Sequence, residues 1–300
     1  MDDAGGRYAL IGANGQLGFD LARTFDLPGT LVPLTRADID VLDHAATARR
    51  LRELRPTHVV NTSAYNLVDR AEDEPRAAFA LNADAVGNLA EVCQALGATF
   101  VHFSTDYVFD GRARTPYDED AAPNPLGAYG ASKLAGERVA LERCERAFVF
   151  RVTGLFGVAR SAGKGGTNFP ETMLRLAREG RALRVVCDQV LTPSYTRDLA
   201  PKVWRVVARG RGGIYHLTNA GATSWYDFAR AVFRLAGVDA RVTPVTAAEY
   251  GARARRPAYS VLAHRRLAEL GEDDLRPWDA ALAAYLEERS TVTARAPGGS

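Results

Sequence analysis

The 300-residue sequence predicts an α/β fold, a doubly wound parallel sheet with a smaller C-terminal α/β domain. Three observations predict it. Short apolar strands alternate with amphipathic helices through the first half. The first strand runs into a glycine turn, Gly12-Ala-Asn-Gly15-Gln-Leu-Gly18. Beyond residue 155 the alternation loosens into helices, isolated strands and a glycine-rich loop.

Taken in order, residues 8–11 form a short apolar strand ending in the glycine turn. Residues 16–25 follow as a helix with Leu17, Leu21 and Phe25 on one stripe. Residues 31–34 form a second strand despite Pro33. Asp43 caps a helix through Leu54, which stops before Pro56. Residues 58–61 are a third strand, and residues 72–96 a long helix whose first turn admits Pro75. A fourth strand, residues 99–103, precedes Ser104-Thr105-Asp106. A helix over 128–142 and a strand over 148–152 complete this half. Such β-α-β units need right-handed crossovers and a sheet covered on both faces. Ligands of these sheets bind at the carboxyl ends of the strands.

In the second half the loop 157–166 reads as a mobile lid. Helices are expected over 168–179, 198–208, 224–236 and 277–287, with strands near 184–186, 214–217 and 241–243. The domain division predicted is 1–155 for the sheet, joined by about 188–218, then 156–289, then a disordered tail over 290–300.

Composition narrows the function. With 47% hydrophobic and 25% charged residues the chain reads as an ordinary globular protein. A net charge of +2 makes no electrostatic case for nucleic acid or an anionic membrane. Arg253-Ala-Arg255-Arg256 reads as solvated surface. Cys93, Cys144 and Cys187 form no CxxC pair, so reduced thiols are expected, and the scattered histidines show no metal-ligand spacing. The first residues lack the features of a signal peptide, and no apolar run reaches the ~20 residues a bilayer needs. A cytoplasmic location is expected.

A helix N-terminus attracts pyrophosphate through its unpaired N–H groups and its dipole. Gly12 permits a tight turn, Gly15 a close phosphate approach, and Gly18 close packing of helix on strand. Tyr129 and Lys133, four apart on a helix, share one face. A nearby ammonium favours a phenolate, so the lysine is expected to draw the tyrosine pKa down toward working pH. Thr105 or Ser104 can bond an oxygen on which charge develops, and Asp106 can orient a substrate hydroxyl. Together these residues suit hydride transfer from a nicotinamide dinucleotide to a carbonyl, with Tyr129 giving the proton. At the second strand end, Leu34-Thr35-Arg36 lacks the acidic residue that would hold a ribose 2′-hydroxyl. NADPH is therefore the expected cofactor and NADH the alternative. Asp40 and Val41 are placed to touch the adenine.

Further motifs carry a resemblance. They are Gly12-x-x-Gly-Gln-Leu-Gly18, Asn61-Thr-Ser-Ala-Tyr65 with Val68-Asp69 and Ala71-Glu72, and Ser104-Thr-Asp-Tyr-Val-Phe109. To these are added Tyr129-Gly-x-x-Lys-x-x-Gly-Glu137 and Asn168-Phe-x-x-Thr-Met-Leu174. Over residues 7–287 the chain resembles dTDP-4-dehydrorhamnose reductase, an extended short-chain dehydrogenase/reductase. The resemblance implies a Rossmann domain for NAD(P)H and a smaller domain for a dTDP-linked keto-deoxysugar, and is compatible with a homodimer. It implies reduction of the 4-keto group of dTDP-4-dehydro-L-rhamnose to dTDP-L-rhamnose. Tyr129 would be the proton donor, Lys133 its support and a ribose ligand, and Thr105 and Asp106 sugar contacts. Gly15, Gln16, Leu17, Asp40, Val41, Ala64 and Tyr65 fall at cofactor positions, and Gly154 and Asn168 at substrate positions. Where some family members carry a Trp against the sugar, this chain has Gly154. Two other readings remain: a related ketoreductase or epimerase for another deoxysugar, and a non-catalytic NADP-binding regulatory subunit.

Overall fold

The computed structural model describes residues 5–159 and 167–295, with side chains through residue 291. The first half contains β1 (Gly6–Ile11), α1 (Gln16–Arg23), β2 (Gly29–Leu34), α2 (His44–Leu54), β3 (His58–Asn61) and α3 (Val68–Ala71). It continues with α4 (Pro75–Phe79), α5 (Ala85–Leu96), β4 (Thr99–Thr105), α6 (Ala128–Arg143) and β5 (Ala147–Val152). Then come β6 (Leu155–Phe156), α7 (Phe169–Arg178), β7 (Leu183–Val186), β8 (Val190–Leu191), β9 (Ser194–Tyr195), α8 (Thr196–Arg209) and β10 (Gly213–His216). The chain ends in β11 (Thr223–Ser224), α9 (Trp225–Ala236), β12 (Val242–Val245), α10 (Ala247–Tyr250), α11 (Arg265–Glu269) and α12 (Trp278–Arg295).

The expected doubly wound parallel sheet is formed. Its six strands run β10-β5-β4-β3-β1-β2, every neighbouring pair parallel. Alternation along each strand builds two cores. Tyr8 and Leu10 face Leu17 and Leu21 of α1 and Trp204 of α8. Ala9 and Ile11 face Leu51 of α2 and Leu89 of α5, with Ala140 of α6 in the same cluster. Pro33 is tolerated because β2 is an edge strand. A third core gathers Phe156, Leu174, Phe228, Leu282 and Tyr285 from the C-terminal helices and short strands.

Two sequence expectations change in detail. The long helix over 72–96 starts at Pro75 and holds a π-type turn over Ala80–Asp84 between α4 and α5. That turn carries Asn82, whose buried amide bonds the Tyr65 N–H and C=O at 2.8 and 3.0 Å and the Ser132 hydroxyl at 3.0 Å. The tail does not begin at 290. Helix α12 continues to Arg295, the Ser290 and Thr291 hydroxyls donating to the Glu287 carbonyl without breaking it. Residues 296–300, and residues 160–166 of the lid expectation, lie outside the described residues.

One buried ion pair ties α6 to the sheet. Arg151 of β5 donates to both carboxylate oxygens of Glu137 at 2.9 and 2.7 Å, the side chains 2% and 1% exposed. Removing one member strands the other charge in a dry site. Glu137→Ala should lower the unfolding free energy by about 3–5 kcal/mol in urea titration, whereas a loss under about 1 kcal/mol would contradict this anchoring role.

Candidate active site

A cleft of about 560 Å³ opens at the carboxyl ends of β1, β3, β4 and β5. Its first wall is the glycine turn. Gly12 has φ +79, a left-handed conformation that side chains disfavour. A Cβ on Gly18 would lie 2.2 Å from the Gly12 carbonyl, so α1 can seat this close only without one. Gly12, Gly15, Gln16 and Leu17 line the cleft, and α1 starts there with no side-chain cap. Gly18 is not on the wall; its role is packing.

The wall is short of hydrogen-bond partners. Gln16 Oε1, Asn66 Oδ1 and Ser104 Oγ are buried, belong to residues that line this cleft and have no partner among the described residues, whereas Thr105, Thr153 and Ser260 engage the Asp106 carboxyl. Buried polar atoms are ordinarily satisfied, so this concentration fits a polar, multiply bonding ligand such as a dinucleotide.

At the end of β2, the Asp38 carboxylate accepts from the Thr35 N–H and hydroxyl at 2.8 and 2.7 Å. Arg36 is 83% exposed and lies 3.6 Å from Asp40. Arg36, Asp40 and Val41 all border the cleft, and Ala64 borders it after β3. Tyr65 does not. The Asn82 amide clamps its backbone, and its hydroxyl donates to Glu74 at 3.0 Å. Its side chain thus points to Glu74 and not to the cleft.

Helix α6 presents Tyr129 and Lys133 to the cleft. Glu72 caps this helix from outside, accepting from the Ala128 N–H at 2.7 Å. Lys133, 1% exposed, donates to the Phe103 carbonyl at 2.5 Å and lies 3.2 Å from His102 Nε2. Burial pulls its pKa down to about 8 against the opposing field of Glu137. Tyr129 departs from expectation: burial pushes its phenol up to about 12, opposed by the Thr105 hydroxyl and reinforced by Asp106. With burial as the dominant influence, the phenol stays protonated at neutral pH.

Thr105 ends β4, accepting from the Tyr107 N–H at 3.2 Å and donating to Asp106 Oδ1 at 3.0 Å. Burial raises the Asp106 carboxyl to about 6. Asn168 reaches the wall, but its amide is committed elsewhere. Its oxygen caps α7 at the Glu171 N–H, and its nitrogen donates to the Gly157 carbonyl, at 3.0 and 2.8 Å. These bonds fasten the start of α7 to the segment after β6. Gly154, also on the wall, has φ +55, and a Cβ there would lie 2.9 Å from Leu191 Cδ1. A side chain there would sit on a strained backbone and press on Leu191 and Pro193.

The aromatic surface comes from residues the sequence reading missed, Trp225 and Phe169, with ring centroids 4.6 Å apart. Trp225 directly follows the N-cap Ser224, an arrangement that puts a ring at a helix mouth. Both rings also border an adjoining cavity of about 830 Å³, together with Tyr107, Arg184, Arg255 and Arg256. Arg256 is not the solvated residue expected: it grips Asp69 through two nitrogens at 3.1 and 2.8 Å.

The Asp106 environment is directly measurable. In carboxyl-carbon NMR of the free protein, one aspartate should titrate near 6 and vanish in Asp106→Asn. If every aspartate titrates near the usual ~4, the described burial is wrong.

Residues 7–291 match the family model described as the RmlD substrate binding domain. The chain is 39% identical to the spore coat polysaccharide biosynthesis protein SpsK of Bacillus subtilis, covering 95% of this chain and 99% of that one. It is 40% identical to the dTDP-4-dehydrorhamnose reductase of Burkholderia thailandensis, covering 91% and 95%. Its fold matches the crystal structure of dTDP-4-dehydrorhamnose reductase from Bacillus anthracis in complex with NADP, with TM-score 0.89, 35% identity and coverage of 95% and 99%. With the sheet, the glycine turn and the Tyr129–Lys133 pair in place, these matches identify the chain as a member of the dTDP-4-dehydrorhamnose reductase family.

Proposed function

We propose that the protein is an NADPH-dependent oxidoreductase that reduces the 4-keto group of a dTDP-4-dehydro-6-deoxysugar, dTDP-4-dehydro-L-rhamnose, to the alcohol. One observation carries this reading: a phenol held protonated and a buried amine share a cleft whose wall lacks hydrogen-bond partners. The glycine turn and the open start of α1 suit the pyrophosphate, Arg36 the 2′-phosphate, and Asp40 and Val41 the adenosine. When bound, the dinucleotide supplies the hydride.

The chain's own groups manage the proton and the charge. Tyr129 donates its phenolic proton to the oxygen that becomes the alcohol. Its raised pKa keeps that proton in place at neutral pH. Thr105 donates to the same oxygen as charge develops, and Asp106 accepts from a sugar hydroxyl. Lys133 bonds the ribose hydroxyls and steadies the phenolate left on Tyr129. In the adjoining cavity Arg184, Arg255 and Arg256 face the diphosphate, with Trp225 and Phe169 against sugar or base.

On this reading the sheet, to which the chain returns as β10, is the cofactor body, and residues 156–289 supply most of the substrate body. The working compartment is the cytoplasm, where the buried thiols Cys93 and Cys144 stay reduced. Among the described residues no helix is long and apolar enough to cross a membrane.

The test is NADPH oxidation with freshly generated dTDP-4-dehydro-L-rhamnose. Wild type should turn over to dTDP-L-rhamnose. Tyr129→Phe should lose roughly 10²–10⁴-fold in kcat with NADPH binding retained. Arg36→Ala should lose its preference for NADPH over NADH. Near-wild-type turnover by Tyr129→Phe would remove Tyr129 from its role, and no turnover by wild type would exclude this sugar.

A further inference from the structure

Behind Lys133, on the side away from the cleft, stand two buried residues that the proposed reaction does not use. Asn61 ends β3 and His102 lies opposite it on β4, partners in the sheet register. Asn61, His102 and Lys133 are 1%, 0% and 1% exposed. Asn61 Nδ2 lies 3.4 Å from His102 Nδ1, and His102 Nε2 lies 3.2 Å from Lys133 Nζ. We propose that Asn61 and His102 are a positioning pair that holds the Lys133 amine against the cleft and weakens its grip on its proton. The proposal rests on the reading that Lys133 supports Tyr129 and the cofactor.

The direction follows from donors and acceptors. Asn61 Oδ1 is engaged by the Ser63 N–H at 3.1 Å and the Ser63 hydroxyl at 2.5 Å. The amide therefore turns its NH₂ toward the imidazole. An N–H aimed at Nδ1 makes that nitrogen the acceptor, which leaves the single ring proton of neutral imidazole on Nε2. Nε2–H then points at Lys133. It can donate to the lone pair of a neutral amine, but it opposes an ammonium. For Lys133 to be charged, the ring proton must move to Nδ1, against the Asn61 NH₂.

The other groups around the amine do not cancel this bias. Glu137, four residues on along α6, favours the charge but is committed to Arg151 of β5. Tyr129, one turn back, is an uncharged phenol held high by burial. On β4 the Phe103 carbonyl accepts from Nζ, and the Asp106 carboxyl lies beyond Thr105. Asn82 and Ser132, which flank α6 from the π-type turn side, carry no charge. Burial and the neighbouring Lys133 hold the His102 pKa well below its ordinary value, so the ring stays neutral while Lys133 titrates.

The chain has three lysines, Lys133, Lys164 and Lys202, so a ¹⁵Nζ-lysine spectrum of the free protein can be assigned with Lys133→Met. No substrate is needed. Lys133 of the wild type should titrate near 8. In Asn61→Asp the second carboxylate oxygen accepts from Nδ1–H, Nε2 becomes an acceptor, and the Lys133 midpoint should rise by at least about one pH unit. His102→Gln adds no charge but can turn its amide oxygen to Nζ, and it should also raise the midpoint. This separates hydrogen-bond control from a simple charge effect. In turnover, the alkaline limb of kcat should move with these midpoints while the NADPH KM stays within about twofold. Midpoints within about 0.3 unit of wild type in both variants would overturn the proposal. Raised midpoints in a protein whose wild type reduces no ketosugar would uphold the pair and overturn the functional reading alone.

Discussion

The seat of α6 on the end of β4 is the constraint on which the site depends. Lys133 is 1% exposed, and it survives burial because the Phe103 carbonyl lies 2.5 Å from its nitrogen. One turn further, Glu137 is bound to Arg151 of β5, and at the helix start Glu72 caps Ala128. Asn82 clamps Ser132 from the π-type turn. These attachments come from β4, β5, the segment after α3 and the π-type turn before α5, so α6 cannot shift without breaking bonds to four parts of the chain. Tyr129 is aimed by that fixture, not by packing of its own ring alone.

The consequence for chemistry is a division of labour. The half-buried phenol holds its proton and the buried amine holds its own loosely, a raised and a lowered pKa side by side on one helix. Groups whose surroundings push their pKa values in different directions mark acid–base sites. Around them, among the described residues, Gln16, Asn66 and Ser104 of the wall each leave a buried polar atom without a partner, a cost that binding a polar ligand would relieve.

Much of this was legible in the sequence because it follows from period and local sterics. The strand–helix alternation, the glycine turn and the i, i+4 spacing of Tyr129 and Lys133 depend on neighbours in the chain, and the sheet and the cleft formed where those patterns put them. What escaped depends on partners distant in sequence. The hold of Asn82 and Glu74 on Tyr65 has no signature near Tyr65 in the chain. The bonds of the Asn168 amide to Gly157 and Glu171 were likewise unannounced, the first because it spans a loop. Arg256 looked solvated, but Asp69 holds it beside the second cavity. The Tyr129 pKa rises where a fall was expected for the same reason: adjacency on a helix shows that Lys133 is near, but not how far the surrounding elements bury the phenol.

The most direct measurement is isotopic. Ketosugar reduction should be run with NADPH deuterated stereospecifically at C4 of the nicotinamide, using each of the two labelled forms, and the product examined by NMR. The account predicts deuterium at C4 of the sugar from one form alone, because a cleft with fixed walls presents one face of the ring. Deuterium from neither form, or from both equally, would contradict it.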